Sequence, residues 1–286
     1  MMMSFKKIRI VTDSTADMPQ DVIEHYGIGV VPAYVNYGGG SYADDGIELD
    51  RGNYYNLMRT MTETPTTSAA SSGLSQQIIE QTFEGADHLI ILTAPASLSG
   101  LHNSMRLGAA NLPQDQVTLL DSGQLSAALG WQVRIACEVA EKTGDVLQVL
   151  EAVRKVRNHQ ALYAGLETLE YLRRSGRVSW ATAGIGTLLN IKPIISVKDG
   201  EVFSYARVRT FSRMVNKLEE LVREMAPLSH LAIIHADNLK SAEELRERIS
   251  DIAPDNTYIT MVNPAVGTHI GPGAVGVAPV SANWRS

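Results

Sequence analysis

The chain has 286 residues, which at a usual domain size of roughly 150 residues corresponds to about two domains, each long enough to bury its own core. Hydrophobic residues make up 44% and charged residues 20%, values of a globular protein that exclude the collagen-like, coiled-coil and disordered classes. Asp and Glu number 31 against 25 Lys and Arg, a net charge of −6, which disfavours nucleic acid and anionic membrane surfaces as partners.

The single cysteine, Cys137, can form neither an internal disulfide nor a thiol pair for zinc, so a reducing compartment fits and the residue reads as core filling. No apolar stretch of signal-peptide length precedes Ile8-Arg9-Ile10-Val11, and no apolar run approaches the roughly 20 residues of a membrane span. The expectation is a soluble, cytoplasmic protein.

Residues 8–12 form a β-branched run that stops at Asp13-Ser14-Thr15, and Pro19 opens a helix that continues to about Tyr26. Residues 29–35 read as a second strand. Gly38-Gly39-Gly40 and Asp44-Asp45-Gly46 mark a loop before a helix over 51–61 capped by Asp50. Then come a helix over 74–82, a strand over 89–92, a turn at Ser97-Leu98-Ser99-Gly100, and a helix over 101–112. A strand over 117–120 ends at Asp121-Ser122 and precedes a long helix over 125–143. Strands separated by such helices predict a largely parallel sheet covered on both faces. In sheets of this kind ligands sit beyond the carboxyl ends of the strands. The three polar turns all lie there, which points to a small oxygen-bearing ligand.

The second half differs. A helix over 146–156, a strand over 160–165 and a helix containing Leu169-Glu170-Tyr171-Leu172 lead to Arg173-Arg174-Ser175-Gly176-Arg177. Asp199-Gly200 between β-rich runs over 191–197 and 201–208 is a hairpin signature. Met214, Leu218, Leu221 and Met225 share one helix face, and strands over 231–235 and 257–262 flank a helix over 241–252. The fold class expected is therefore α/β with two domains: residues 1–155 as a three-layer α/β/α unit on a mostly parallel sheet, and residues 156–286 as an α+β unit with a mixed sheet.

No GxSxG elbow, Walker loop, HExxH motif or thiol pair occurs. Ser99-Gly100 at a helix start suits an anion such as a carboxylate or phosphate, and equally suits a plain helix cap. Thr66-Thr67-Ser68 and Ser71-Ser72 read by themselves as a loop with a cap. His269 lies in Gly267-Thr268-His269-Ile270-Gly271-Pro272-Gly273-Ala274, where glycines would let the backbone approach a ligand closely. Arg173, Arg174 and Arg177 suit phosphate, or a solvated helix end. Asp44 and Asp45 read as a turn in preference to a metal site, and no cofactor is implied.

Taken together these stretches resemble the DegV family of bacterial fatty-acid-binding proteins over nearly the whole chain. The resemblance rests on Asp13-Ser14-Thr15-Ala16-Asp17, Asp45-Gly46-Ile47, Thr66-Thr67-Ser68-Ala69-Ala70-Ser71, Leu98-Ser99-Gly100, Asp121-Ser122 with Ser126 and Gly130, residues 169–177, residues 189–194, and residues 269–276. Ala69 and Ala70 replace the family's glutamine and proline, and Leu101 and His102 replace a threonine and an aromatic residue.

The resemblance implies a long-chain fatty acid in a cleft between two domains. Its carboxylate would be held by Thr67, Ser68, Ser99 and Gly100, oriented by His269 and supported by Asp13, Ser14, Thr15, Asp121 and Ser122. It also implies a fatty acid kinase as partner, which would turn the presented acid into acyl phosphate, with Arg173, Arg174 and Arg177 engaging that kinase or its phosphate. At about 0.8 kcal/mol per buried CH₂, a sixteen-carbon tail gains roughly 12 kcal/mol before ordering costs, so hydroxyls worth about 1 kcal/mol each set orientation more than affinity. Residues 181–189, rich in small side chains, are one candidate tunnel lining, with plain helix packing the equal alternative. The competing function is an enzyme for a small acyl or phosphorylated substrate, with Ser99 as nucleophile and His269 as acid or base.

Overall fold

The computed structural model describes residues 6–178 and 191–285. Its first sheet grows from the β-branched run β1 (Ile8–Asp13), flanked by β2 (Gly29–Val31) and β6 (His88–Thr93), with β7 (Val117–Asp121) beyond β6. All three pairings are parallel. Alternate side chains feed two cores, as the two-residue period of a strand requires. Ile10, Ile90 and Leu92 face Leu129, Val133 and Cys137 of α5 (Ser126–Thr143) and Val149 and Val153 of α6 (Val146–His159). Val11, Leu89 and Ile91 face Ile79 of α3 (Ser72–Phe83) and Met105 of α4 (Leu101–Gly108). Helices thus cover both faces, and Cys137 is a buried core residue.

The stretch expected as one strand over 29–35 is two. Pro32 has no N–H for a ladder and separates β2 from β3 (Ala33–Tyr37), whose Ala33 N–H is taken by Ser14 Oγ at 2.9 Å. β3 founds a small antiparallel sheet with β4 (Gly40–Ala43) and β5 (Thr66–Ala69). The expected loop over 38–46 is therefore largely hairpin, turning on Gly38 and Gly39, both with positive φ. The expected loop around Thr66 is strand β5, and its cap is real, since Ser71 Oγ accepts the Leu74 N–H at the start of α3.

The second sheet runs in the order β10 (Glu201–Val208), β9 (Lys192–Lys198), β8 (Tyr163–Gly165), β13 (Val275–Ser281), β11 (Leu228–His235), β12 (Tyr258–Met261). Only β11–β12 is parallel. Asp199 and Gly200, both at positive φ, turn the β9–β10 hairpin. Met214, Leu218 and Leu221 of α8 (Phe211–Glu224) are buried against this sheet's outer face. The central strand β13 was not expected. It is buried throughout, so it carries no alternation, and Gly276 and Pro279 disguise it. Glycine is required at 276, where a Cβ would lie 2.5 Å from Tyr163 O.

One carboxylate ties the halves together. Asp17, 1% exposed, accepts from Ser126 Oγ (2.6 Å), Asn263 N (2.8 Å) and Asn263 Nδ2 (3.0 Å), and pairs with Arg51 at 3.3 Å. Arg51 donates in turn to Met261 O at 2.5 Å. Removing one partner of such a buried network strands the rest, at about 3–5 kcal/mol. Asp17→Ala should lose stability of that order in urea unfolding; a loss below about 1 kcal/mol would mean the halves are joined by other means.

Candidate functional site

A cavity of about 130 Å³ lies where the three sheets meet. Its inner wall is apolar and deeply buried: Leu162, Ala164, Ile195, Val197 and Ile234 of the second sheet and its approaches, with Leu101 opposite, are each 7% exposed or less. The polar lining that keeps solvent access gathers at the surface end, whereas Thr15 and Ser126 line the buried part with their hydroxyls donated to Asp13 and Asp17. Ser68 and Gly100 are exposed and Thr67, Ser99 and His269 half-buried. The guanidinium-bearing Arg177, also exposed, is the one permanently charged side chain lining it among the described residues.

Local structure explains this grouping. β5 presents Thr67 and Ser68 from the edge of the small sheet. Gly100 begins α4 so close to β5 that a Cβ there would sit 3.4 Å from Ala69 Cβ. His269 comes from α10 (Pro264–Ile270), capped by Asn263, whose Oδ1 accepts the Val266 N–H. Thr67 Oγ1 and His269 Nε2 are 2.9 Å apart, joining β5 to α10. Ser99 Oγ accepts the Leu101 N–H at 3.2 Å, which leaves its own proton for a ligand.

His269 Nδ1 is buried with no hydrogen-bond partner among the described residues. Burial, reinforced by the nearby Arg177 charge, lowers the imidazole to about 4, so the ring is neutral at physiological pH. Ser99 and His269 share no hydrogen bond among the described residues; the imidazole bonds to Thr67 instead.

Of the other residues singled out in the sequence, Thr15 lines the cavity, its hydroxyl donating to Asp13 Oδ1 at 2.5 Å. Asp13 and Asp121 lie behind the wall. Asp13 Oδ2 accepts the Ala94 N–H at 2.7 Å and Asp121 Oδ2 the Ala96 N–H at 3.0 Å, fixing the loop that carries Ser99. Ser14 binds Ala33 N, and Ser122 closes its own turn against Gln124. Arg173 and Arg174 are outside the cavity on α7 (Glu170–Ser175), both paired with Glu170. Residues 181–189 lie outside the described residues.

The glycines of the tail do not open onto a ligand. A Cβ at Gly267 would strike the Tyr55 hydroxyl and one at Gly271 the Tyr171 ring, so they let α10 pack against tyrosines. Leu125, which also lines the cavity, was missed, and Ser126, named only within a motif of the resemblance, was given no site role; Ser126 sits at φ 52°, a conformation no sequence pattern announces.

Fold and site define an α/β protein of a parallel sheet, a mixed sheet and a small antiparallel sheet around a largely apolar cavity with a hydroxyl-rimmed mouth. The model of the family described as "Uncharacterised protein, DegV family" matches residues 7–282, and the chain belongs to the DegV family. A DegV domain-containing protein of Deinococcus radiodurans is 33% identical over 283 residues, covering 96% of this chain and 99% of its own; one from Streptomyces coelicolor is 31% identical over 278 residues, covering 95% and 98%. Among solved structures, a fatty-acid-binding DegV family protein from Thermus thermophilus matches with TM-score 0.88 and 29% identity, covering 96% of this chain and 99% of that one. DegV of Bacillus subtilis, described as a fatty acid binding protein, gives 0.86 and 26%, with 96% and 100% covered. No described helix is long and apolar enough to cross a membrane.

A lowered histidine pKa makes the folded state bind fewer protons than the unfolded chain between pH 6.5 and about 4, so stability is full above that window and falls on acidification. His269→Gln should flatten this part of the decline in thermal melts from pH 7 to 4.5, leaving the share of His230, also lowered to about 4 by burial. An unaltered slope would show that His269 titrates alike in the folded and unfolded chain.

Proposed function

We propose that this protein binds a long-chain fatty acid, tail inward and carboxylate at the mouth. The observation that carries the reading is the one-ended polarity of the cavity: Thr67, Ser68, Ser99, His269 and Arg177 lie at the surface end, and beyond them are buried aliphatic side chains with only Thr15 and Ser126 as polar residues, their hydroxyls already given to Asp13 and Asp17. An amphiphile with one anionic head and a methylene tail matches it, whereas a small polar substrate would leave the apolar wall without a partner. Removing the tail from water supplies the affinity at about 0.8 kcal/mol per CH₂. The hydroxyls, the neutral imidazole and the start of α4 orient the carboxylate, and Arg177, which has no ion pair among the described residues, meets its charge. Fatty acid binding by the Thermus and Bacillus proteins supports the same reading.

The finer assignment concerns what happens to the carboxylate. The chain has no phosphate-binding glycine loop of its own, so conversion to acyl phosphate takes ATP bound by a separate fatty acid kinase. The exposed Arg173 and Arg174 of α7, which packs on α10 next to the mouth, would meet that partner, and Arg177, which lines the cavity, would meet the ligand.

Native mass spectrometry of the purified protein should show a co-purifying fatty acid, and a protein that is empty and refuses added acid overturns the reading. Thr67→Ala/Ser99→Ala should weaken binding about tenfold or more by losing two hydrogen bonds to a charged group; unchanged affinity would place the carboxylate elsewhere. Arg173→Glu/Arg174→Glu should leave the bound acid in place while acyl phosphate formation by the cognate kinase falls; undiminished formation removes these arginines from the partner contact.

A further inference from the structure

Asp44 follows β4, is 2% exposed, and takes no part in the ligand contacts proposed above. Its backbone N–H donates to the carbonyl of Ala33, a cavity-lining residue, and its Oδ2 accepts the Ala265 N–H at 3.0 Å. That bond stands at the start of α10. Pro264 has no N–H, Asn263 N is taken by Asp17, Val266 N by Asn263 Oδ1 and Gly267 N by Asn263 O. The side chain of Asp44 therefore holds the one remaining N–H of the first turn. Ala265, Val266, His269 and Ile270 of this short helix all line the cavity. We infer that Asp44 is a positioning residue for the ligand site: its buried carboxyl group seats α10 and hence His269, and its gain or loss of a proton tunes how firmly the cavity holds its ligand.

The surroundings leave both charge states accessible. Oδ1 has no hydrogen-bond partner among the described residues, so the ionised group is incompletely compensated. Arg51 faces it from α2 (Arg51–Met58), but that cation is already paired with Asp17. Asp17 and the adjacent Asp45 oppose its ionisation, and Glu48 is engaged with Ala43 N. Tyr54 and Tyr55 of α2 are uncharged, burial raising both, and His269 is neutral. Burial pushes the Asp44 carboxyl up to about 7. The ionised form, at the positive end of α10, binds Ala265 N–H strongly. The protonated form accepts more weakly, so the helix start loosens on acidification.

The inference rests on the fatty-acid reading, and two measurements separate their fates. Release of a fluorescent polyene fatty acid, followed by stopped flow, should slow by about fivefold or more from pH 6 to pH 8 in the native protein. In Asp44→Asn, which cannot ionise, release should stay near the native acid-side rate throughout. Titration of the ligand's own carboxyl group is common to both proteins, so a variant with the native slope overturns the proposal. In the ligand-free native protein, the Ala265 amide and His269 ring resonances should shift together with a midpoint near 7; resonances that stay still between pH 6 and 8 overturn it even if the variant fails to fold. A protein that binds no fatty acid but shows the shift refutes the ligand and keeps the switch.

Discussion

Asp17 is withdrawn from water at the point where the chain leaves its first strand, and a buried carboxylate has to be met by donors or give up its charge. Burial does push its pKa upward, and the fold answers with Ser126, Asn263 and Arg51. Those three come from the start of α5, the lead into α10, and α2. Satisfying one carboxylate thus fixes the two ends of the chain in a common frame, and each of these segments contributes to the cavity or adjoins it. Asp17 and Ser126 both carry positive φ, a strained backbone that persists because the network over-determines it.

The same division of labour recurs around the mouth. Asp13 and Asp121 spend their oxygens on backbone N–H groups of the loop before α4, and Asp44 does so for α10. Carboxylates hold the backbone from behind, while hydroxyls and an imidazole face the cavity. This suits an anionic ligand, because a carboxylate at the lining itself would repel it, whereas one set behind the wall and hydrogen-bonded to backbone donors contributes rigidity without facing it.

How much of this was legible follows from which signals are local. The parallel sheet was readable because β1, β6 and β7 are apolar runs between helices with clear periodicity, and the polar strand ends followed from that topology. The small antiparallel sheet was hidden because, Tyr42 apart, β4 and β5 are built from Gly, Ser, Thr and Ala, whose runs carry no strand signal of their own. β13 was hidden because burial on both faces erases alternation. The glycines at 267 and 271 were visible but misread: what they accommodate, the Tyr55 and Tyr171 rings, lies more than 90 residues away in the chain. The importance of Asp44 was equally invisible, since the Asp44-Asp45 pair reads as a turn and Asp45 indeed makes one, its Oδ1 accepting from Ile47 and Glu48 N–H.

The charge balance at the mouth closes the physical argument. An overall net charge of −6 repels an anion at long range, but salt screens that field within about 10 Å, so capture depends on what the last few ångströms present. Arg173 and Arg174 share Glu170 and are partly neutralised by it, while Arg177 reaches the lining without an ion pair among the described residues. Its charge, together with burial, keeps His269 neutral. The mouth therefore presents one exposed positive charge and a set of neutral donors, a match for the single carboxylate of the proposed ligand.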